Sequence, residues 1–180
     1  MESGKYAYLL TLISEGDREA FKMLFEEFYP KTKVFLENLI KDEMASEDIA
    51  QDIFMKLWTL RGGLPEIKSF NLYIYRVVRN AALNWLRSRY PSVSLSSVTL
   101  SDGHDTEEEY YKKEKELLVR IAVAQMPFQR QRIFKMSRYQ GFTNDEIAVK
   151  LNIARKTVEN HLTQALRDIR AVLSVLTFFL

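Results

Sequence analysis

Cysteine is absent, histidine occurs twice, and the 180 residues include only six glycines and four prolines. Without cysteine there is no disulfide, no thiolate metal site and no cysteine nucleophile. The two histidines, His104 and His161, have no metal or triad partners in the sequence. No glycine-rich phosphate loop occurs either, so neither enzymatic activity nor a metal or cofactor is expected. No run of eighteen apolar residues exists, so no segment is expected to span a bilayer. Residues 1–15 lack the basic start, apolar stretch and small-residue cleavage site of a signal peptide. The chain therefore reads as cytoplasmic and soluble. Scarce glycine and proline, with 47% hydrophobic residues, predict helices around real cores.

Charge is abundant, and its distribution matters more than its net value of +2. From Lys41 to Asp52 five acids face one base. From Ile53 to Tyr90 seven bases face the single acid Glu66, and from Pro91 to Tyr111 five acids stand without a lysine or arginine. From Lys112 onward thirteen bases face six acids. Two basic blocks around an acidic segment suggest two nucleic-acid surfaces and a tether between them.

The spacing predicts an all-α chain of two small helical domains, residues 1–90 and 106–180, joined by a flexible linker over 91–105. Ala20, Leu24, Phe25 and Phe28 recur at helical spacing up to Pro30, where a helix is expected to end; Val34, Phe35, Leu36, Leu39 and Ile40 suggest the next. Ser46, followed by Glu47 and Asp48, reads as the capped start of a helix that runs to the Gly62-Gly63 breaker. Another helix spans about 67–89. The segment PSVSLSSVTLSDGH changes character and supplies the linker. Four helices follow. The apolar tail AVLSVLTFFL either extends the last helix into its domain or docks on a partner.

The most specific local pattern lies near the end. Thr143 and Glu146 form a T-x-x-E capping box, and Ile147, Ala148 and Leu151 give one apolar face. Asn152 stands where a left-handed turn is wanted, and Ile153 plugs the corner. Val158, Leu162 and Leu166 continue the buried face of a second helix, whose open face carries Arg155, Lys156, Glu159, Asn160 and Gln164. This is a helix-turn-helix with side chains suited to phosphates and base edges in a major groove. In the first half, SFNLYIYRVVRNAALNWLRSR interleaves Phe70, Tyr73, Tyr75 and Trp85 with Arg76, Arg79, Asn80, Asn84, Arg87 and Arg89. Stacking rings beside a positive track are the two chemistries that hold a single strand. Tyr75 and one of Phe70 or Tyr73 are expected in the core.

These stretches, taken in order, resemble a bacterial RNA polymerase sigma factor of the sigma-70 class in its extracytoplasmic-function form. GDREAFKMLFEEFYP, SEDIAQDIFMKLW and the aromatic-basic helix are similar to region two, and the segment from Met126 to Arg170 is similar to region four. The resemblance implies promoter-specific initiation with core RNA polymerase. Asp48, Gln51, Asp52, Phe54 and Trp58 would then grip the β′ clamp, and the second domain would meet the β flap. Lys68, Tyr73, Arg76, Arg79, Asn80, Asn84 and Arg87 would melt and hold the −10 element. Arg155, Lys156, Thr157, Asn160, His161 and Gln164 would read the −35 element as duplex, and an anti-sigma partner is implied as possible. The chain departs from the family at Ala154, where a serine or threonine commonly caps the reading helix, and at Tyr73, where tryptophan is frequent. The rival is a stand-alone dimeric helix-turn-helix regulator, since the terminal pattern also resembles response-regulator output domains. Such a protein should show alternating strands in its first half, where this sequence reads as helical.

Overall fold

The computed structural model describes residues 2–89, 107–174 and 179, and the expected linker lies outside them. The described residues contain no strand. The chain divides into two compact units, one from Met1–Ser92 with Val175–Leu180 and one from Val93–Ser174.

The first unit is built on α2, Arg18–Ile40, which packs against α1 (Glu2–Ser14), α3 (Glu43–Thr59) and α4 (Phe70–Arg89). Asp17 starts α2 by accepting from the backbone nitrogens of Glu19 and Ala20, and left-handed Lys41 (φ 61°) ends it. Contrary to the expected break, α2 runs through Pro30. A helix-interior proline forfeits a backbone bond and costs about 3 kcal/mol. Here Leu24 and Phe28 before it and Phe35, Leu36 and Leu39 after it are all buried, which offsets that cost. Helix α3 also begins earlier than expected. Asp42 caps it, accepting from the Ala45 nitrogen, while Ser46 lies buried inside and donates to the Asp42 carbonyl. The Gly-Gly-Pro segment forms a short 3-10 helix, Arg61–Glu66.

Rings join these helices. Phe28 lies edge-on to both Tyr6 and Phe70, and Phe54 packs edge-on to Phe25 and Tyr29. A third cluster differs from what the sequence suggests. Phe179, in the tail that the sequence pattern assigns to the second domain, is fully buried in the first unit against Phe35 and Tyr75, with ring centroids 5.9 and 5.8 Å away.

The second unit comprises α5 (Glu107–Ala124), α6 (Phe128–Arg138), α7 (Asn144–Leu151) and α8 (Arg155–Ser174). Ile133, Met136, Ile147 and Val158 form a core that Phe142, Ala148, Leu151, Ile153 and Leu162 flank. Arg130 on α6 bonds Asp168 on α8 at 2.6 Å.

Replacing Phe179 with Ala should destabilise the first unit by roughly 3 kcal/mol, the low end for a buried phenylalanine because a chain end can withdraw. Guanidinium unfolding of the full chain followed by circular dichroism reads this; an unchanged midpoint would contradict the packing.

Candidate nucleic-acid interface

Helix α4 buries Phe70, Ile74, Tyr75, Val78, Ala82, Leu83 and Leu86, which turns the rest of its circumference outward. On that open side Arg76, Asn80, Asn84 and Arg87 follow one another at helical spacing and are all exposed. Tyr73 is half-buried beside Phe70, and Lys68 is exposed just ahead of the helix. Trp85 is half-buried with the Arg89 guanidinium over its ring at 5.2 Å. Arg79, expected in the same row, is only 1% exposed. Its position falls roughly 60° around the helix from Arg76, among the buried Leu83 and Leu86. From there its Nη2 donates to Asn80 Oδ1 at 2.9 Å. That bond leaves the Asn80 amide nitrogen as a donor.

A small cavity of about 130 Å³ opens at the head of α4, lined by Tyr6, Lys68, Ser69 and Asn71 among others. Asn71 Oδ1 is buried with no hydrogen-bond partner. Sequence reasoning did not single out Asn71; the signal lies in the buried acceptor and in the cavity that Asn71 shares with Tyr6, Ala7 and Leu10 of α1.

On α3 the exposed side carries Asp48, Gln51, Asp52 and the large apolar Met55. Trp58 is half-buried, packed on Phe21 at 5.1 Å and under the Arg61 guanidinium at 4.7 Å. Phe54 belongs to the core instead of this surface, at 2% exposure. Ala50, Ile53, Phe54 and Leu57 form one i, i+3, i+4, i+7 face, so the spacing itself carried that signal.

In the second unit the helix-turn-helix is assembled as its spacing requires. Thr143 Oγ1 accepts from the Glu146 nitrogen, Glu146 bonds back to the Thr143 nitrogen at 2.8 Å, and Asn152 takes the left-handed turn at φ 50°. Ala154 offers no side-chain cap, and α8 begins with the Thr157 nitrogen donating to its carbonyl. Lys156 and Asn160 are exposed on the open face of α8; Thr157, His161 and Gln164 are half-buried at its margins. Thr163, Arg167 and Arg170, not singled out in the sequence, extend that face at spacings of three and four. Arg155 is tied down at both ends, to Asp145 on α7 at 3.2 Å and to Glu159 at 3.1 Å.

The described residues contain no group of three or more His, Cys, Asp or Glu that could hold a metal, and no helix among them is long and apolar enough to cross a membrane. What they offer is two helices, each anchored by one apolar face and presenting amides and cations on the other, which is the chemistry of nucleic-acid contact.

Comparison with known proteins identifies two regions of the chain. Residues 24–90 match the family described as Sigma-70 region 2, and residues 117–169 match Sigma-70, region 4. The chain belongs to the sigma-70 family of RNA polymerase sigma factors, in its extracytoplasmic-function form. It works as these factors do, binding core RNA polymerase and directing initiation at particular promoters. It is similar to RNA polymerase sigma factor SigZ of Bacillus subtilis, 25% identical over 131 residues that cover 73% of this chain and 74% of that protein. It is also similar to RNA polymerase sigma-H factor of Pseudomonas aeruginosa, 23% identical over 169 residues, 87% of this chain and 88% of the relative. ECF RNA polymerase sigma factor RpoE of Cereibacter sphaeroides is 25% identical over 174 residues, 93% of this chain and 94% of its own. The stand-alone regulator is not favoured, since both sigma regions are present.

The Thr143 backbone and hydroxyl hold the Glu146 carboxyl below its ordinary value of 4.5. A carboxyl lowered in the folded state contributes stability that is complete above the unfolded value and is lost as pH falls through the folded one. Thr143→Ala should cost about 0.5–2 kcal/mol at neutral pH. The difference from wild type should shrink as acid protonates Glu146, which urea melts across that range would measure.

Proposed function

We propose that α4 meets the −10 element as its strands separate, and that α8 reads the −35 element as duplex. The observation that carries the first half is the exposed row Arg76, Asn80, Asn84 and Arg87. Guanidinium groups suit the strand's phosphates, and amides offer donor and acceptor to the edges of unstacked bases. Tyr73 gives a ring beside them. The unpartnered Asn71 acceptor, in a cavity with Lys68 and Ser69, supports the capture there of an extruded base through an amino group. Extrusion costs a few kcal/mol, and binding to polymerase and to the rest of the promoter offsets it.

Lys156, Thr157, Asn160, His161 and Gln164 on α8 are the −35 contacts in this reading, with Arg155 contributing charge from its ion-paired position. The exposed Asp48, Gln51 and Asp52 of α3, ending at Trp58, engage the β′ clamp, and the second unit engages the β flap. Two modest DNA contacts on one chain gain from effective concentration once polymerase holds both. An anti-sigma protein covering either face would silence the chain, and these partners assign its work to the cytoplasm.

Run-off transcription with sigma-free core polymerase on a genomic promoter library tests the reading. Discrete starts that need the chain, with shared −10 and −35 elements, are expected. Asn80→Ala should cut their yield by about 1–3 kcal/mol equivalent, roughly 5- to 150-fold. Lys156→Ala should weaken −35 duplexes uniformly and lower the salt slope by about 1. Tight duplex binding by the chain alone, without core binding, would overturn it.

A further inference from the structure

The reading face of α8 contains an anion. Glu159 sits between Arg155 and Lys156, one turn into the helix, and is half-buried where its neighbours are open. Its Oε1 accepts from Arg155 Nε at 3.1 Å, while the Lys156 ammonium stands 3.6 Å from Oε2, beyond hydrogen-bond reach. Arg155 is held in turn by both oxygens of Asp145, at 3.3 and 3.2 Å, across the turn from α7. The pairs are exposed, with side chains of Arg155, Lys156 and Asp145 at 61%, 79% and 67%, so they add little to stability. A carboxylate on a surface that approaches a polyanion is repelled unless cations neutralise it and a donor meets it. Here two cations flank it, its orientation is fixed through Oε1, and Oε2 is left to accept.

We propose that Glu159 is a specificity-determining residue, which selects cytosine at one position of the −35 element by accepting from its N4 amino group. This rests on the reading of α8 as the −35 helix. In the major groove cytosine presents an amino donor, whereas guanine and thymine present acceptors that repel a carboxylate. Adenine places N7, an acceptor, beside its amino group, which makes it the poorer match. Arg155 acts as a positioning residue that aims the carboxylate and offsets its charge.

The test is transcription by core polymerase with the full chain from promoters randomised over the −35 element, comparing wild type with Glu159→Ala and Glu159→Gln. Wild type should favour cytosine at one position by roughly 5- to 100-fold. Glu159→Ala should abolish that preference and leave other positions unchanged. Glu159→Gln should shift it toward adenine, which glutamine reads with two bonds. Equal scaling of all −35 sequences in Glu159→Ala would make Glu159 a mere counter-ion and overturn the proposal. So would a loss confined to guanine-preferring positions, since the residue would then act only by placing Arg155 and Lys156. Circular dichroism melts matching wild type secure the comparison. Initiation without any −35 preference in wild type would overturn the role of α8 itself, a failure visible before any variant is compared.

Discussion

The burial of Ile74, Tyr75, Val78, Ala82 and Leu86 on the core side of α4 determines what the first unit can present to a partner. A helix has one circumference, and an arc committed to α2 is closed to DNA. Phe35 on α2 meets Tyr75 edge-on at 5.7 Å, and Phe28 does the same to Phe70 at 5.0 Å, so α4 is locked in rotation at two levels. With the rotation fixed, Arg76, Asn80, Asn84 and Arg87 fall on one exposed line. Arg79 falls inside the buried arc and donates from there to the side-chain Oδ1 of Asn80.

The second unit solves the same problem with less material. Helix α7 has eight residues, too few to be stable alone, and depends on its capping box and on Ile147 in the shared core. The left-handed Asn152 then sets the angle at which α8 departs, and Val158, Ala165, Ile169 and Val172 bury its inner face. In place of the missing side-chain cap at Ala154, packing of Ile153 and Val158 fixes where α8 begins. The polar outer face is thereby presented as a rigid surface, which base reading requires.

Much of this was legible in the sequence because the signals were local and periodic. The capping box and the turn at Asn152 each have one structural meaning, and the structure realises them. Along α8 Val158 is buried as its spacing suggests, but Leu162 and Leu166 are only half-buried, and Ala165, Ile169 and Val172 complete the inner face. The failures came where tertiary packing overrode a local rule. Pro30 breaks an isolated helix, but the buried residues on both sides of it hold α2 together. Asp42, not Ser46, caps α3; both residue types fit the pattern, and the bond from the Ala45 nitrogen to Asp42, with Ser46 buried inside the helix, decides between them. Residue type alone put Arg79 on the DNA face and Phe54 at a partner surface, whereas helical angle and ring packing draw both inward. Phe179 was invisible for a different reason. No periodicity links a chain end to a cluster formed by Phe35 and Tyr75 far earlier in the sequence.

The central claim is that the fixed rotation of α4 supplies the surface on which promoter strands are held apart. The most direct measurement is strand opening, by fluorescence of 2-aminopurine in the non-template −10 strand, with core polymerase and either wild-type chain or a variant carrying Arg76→Ala, Asn80→Ala, Asn84→Ala and Arg87→Ala. The account predicts a fluorescence rise with wild type, and none with the variant although it still binds polymerase. Equal opening by both would contradict it.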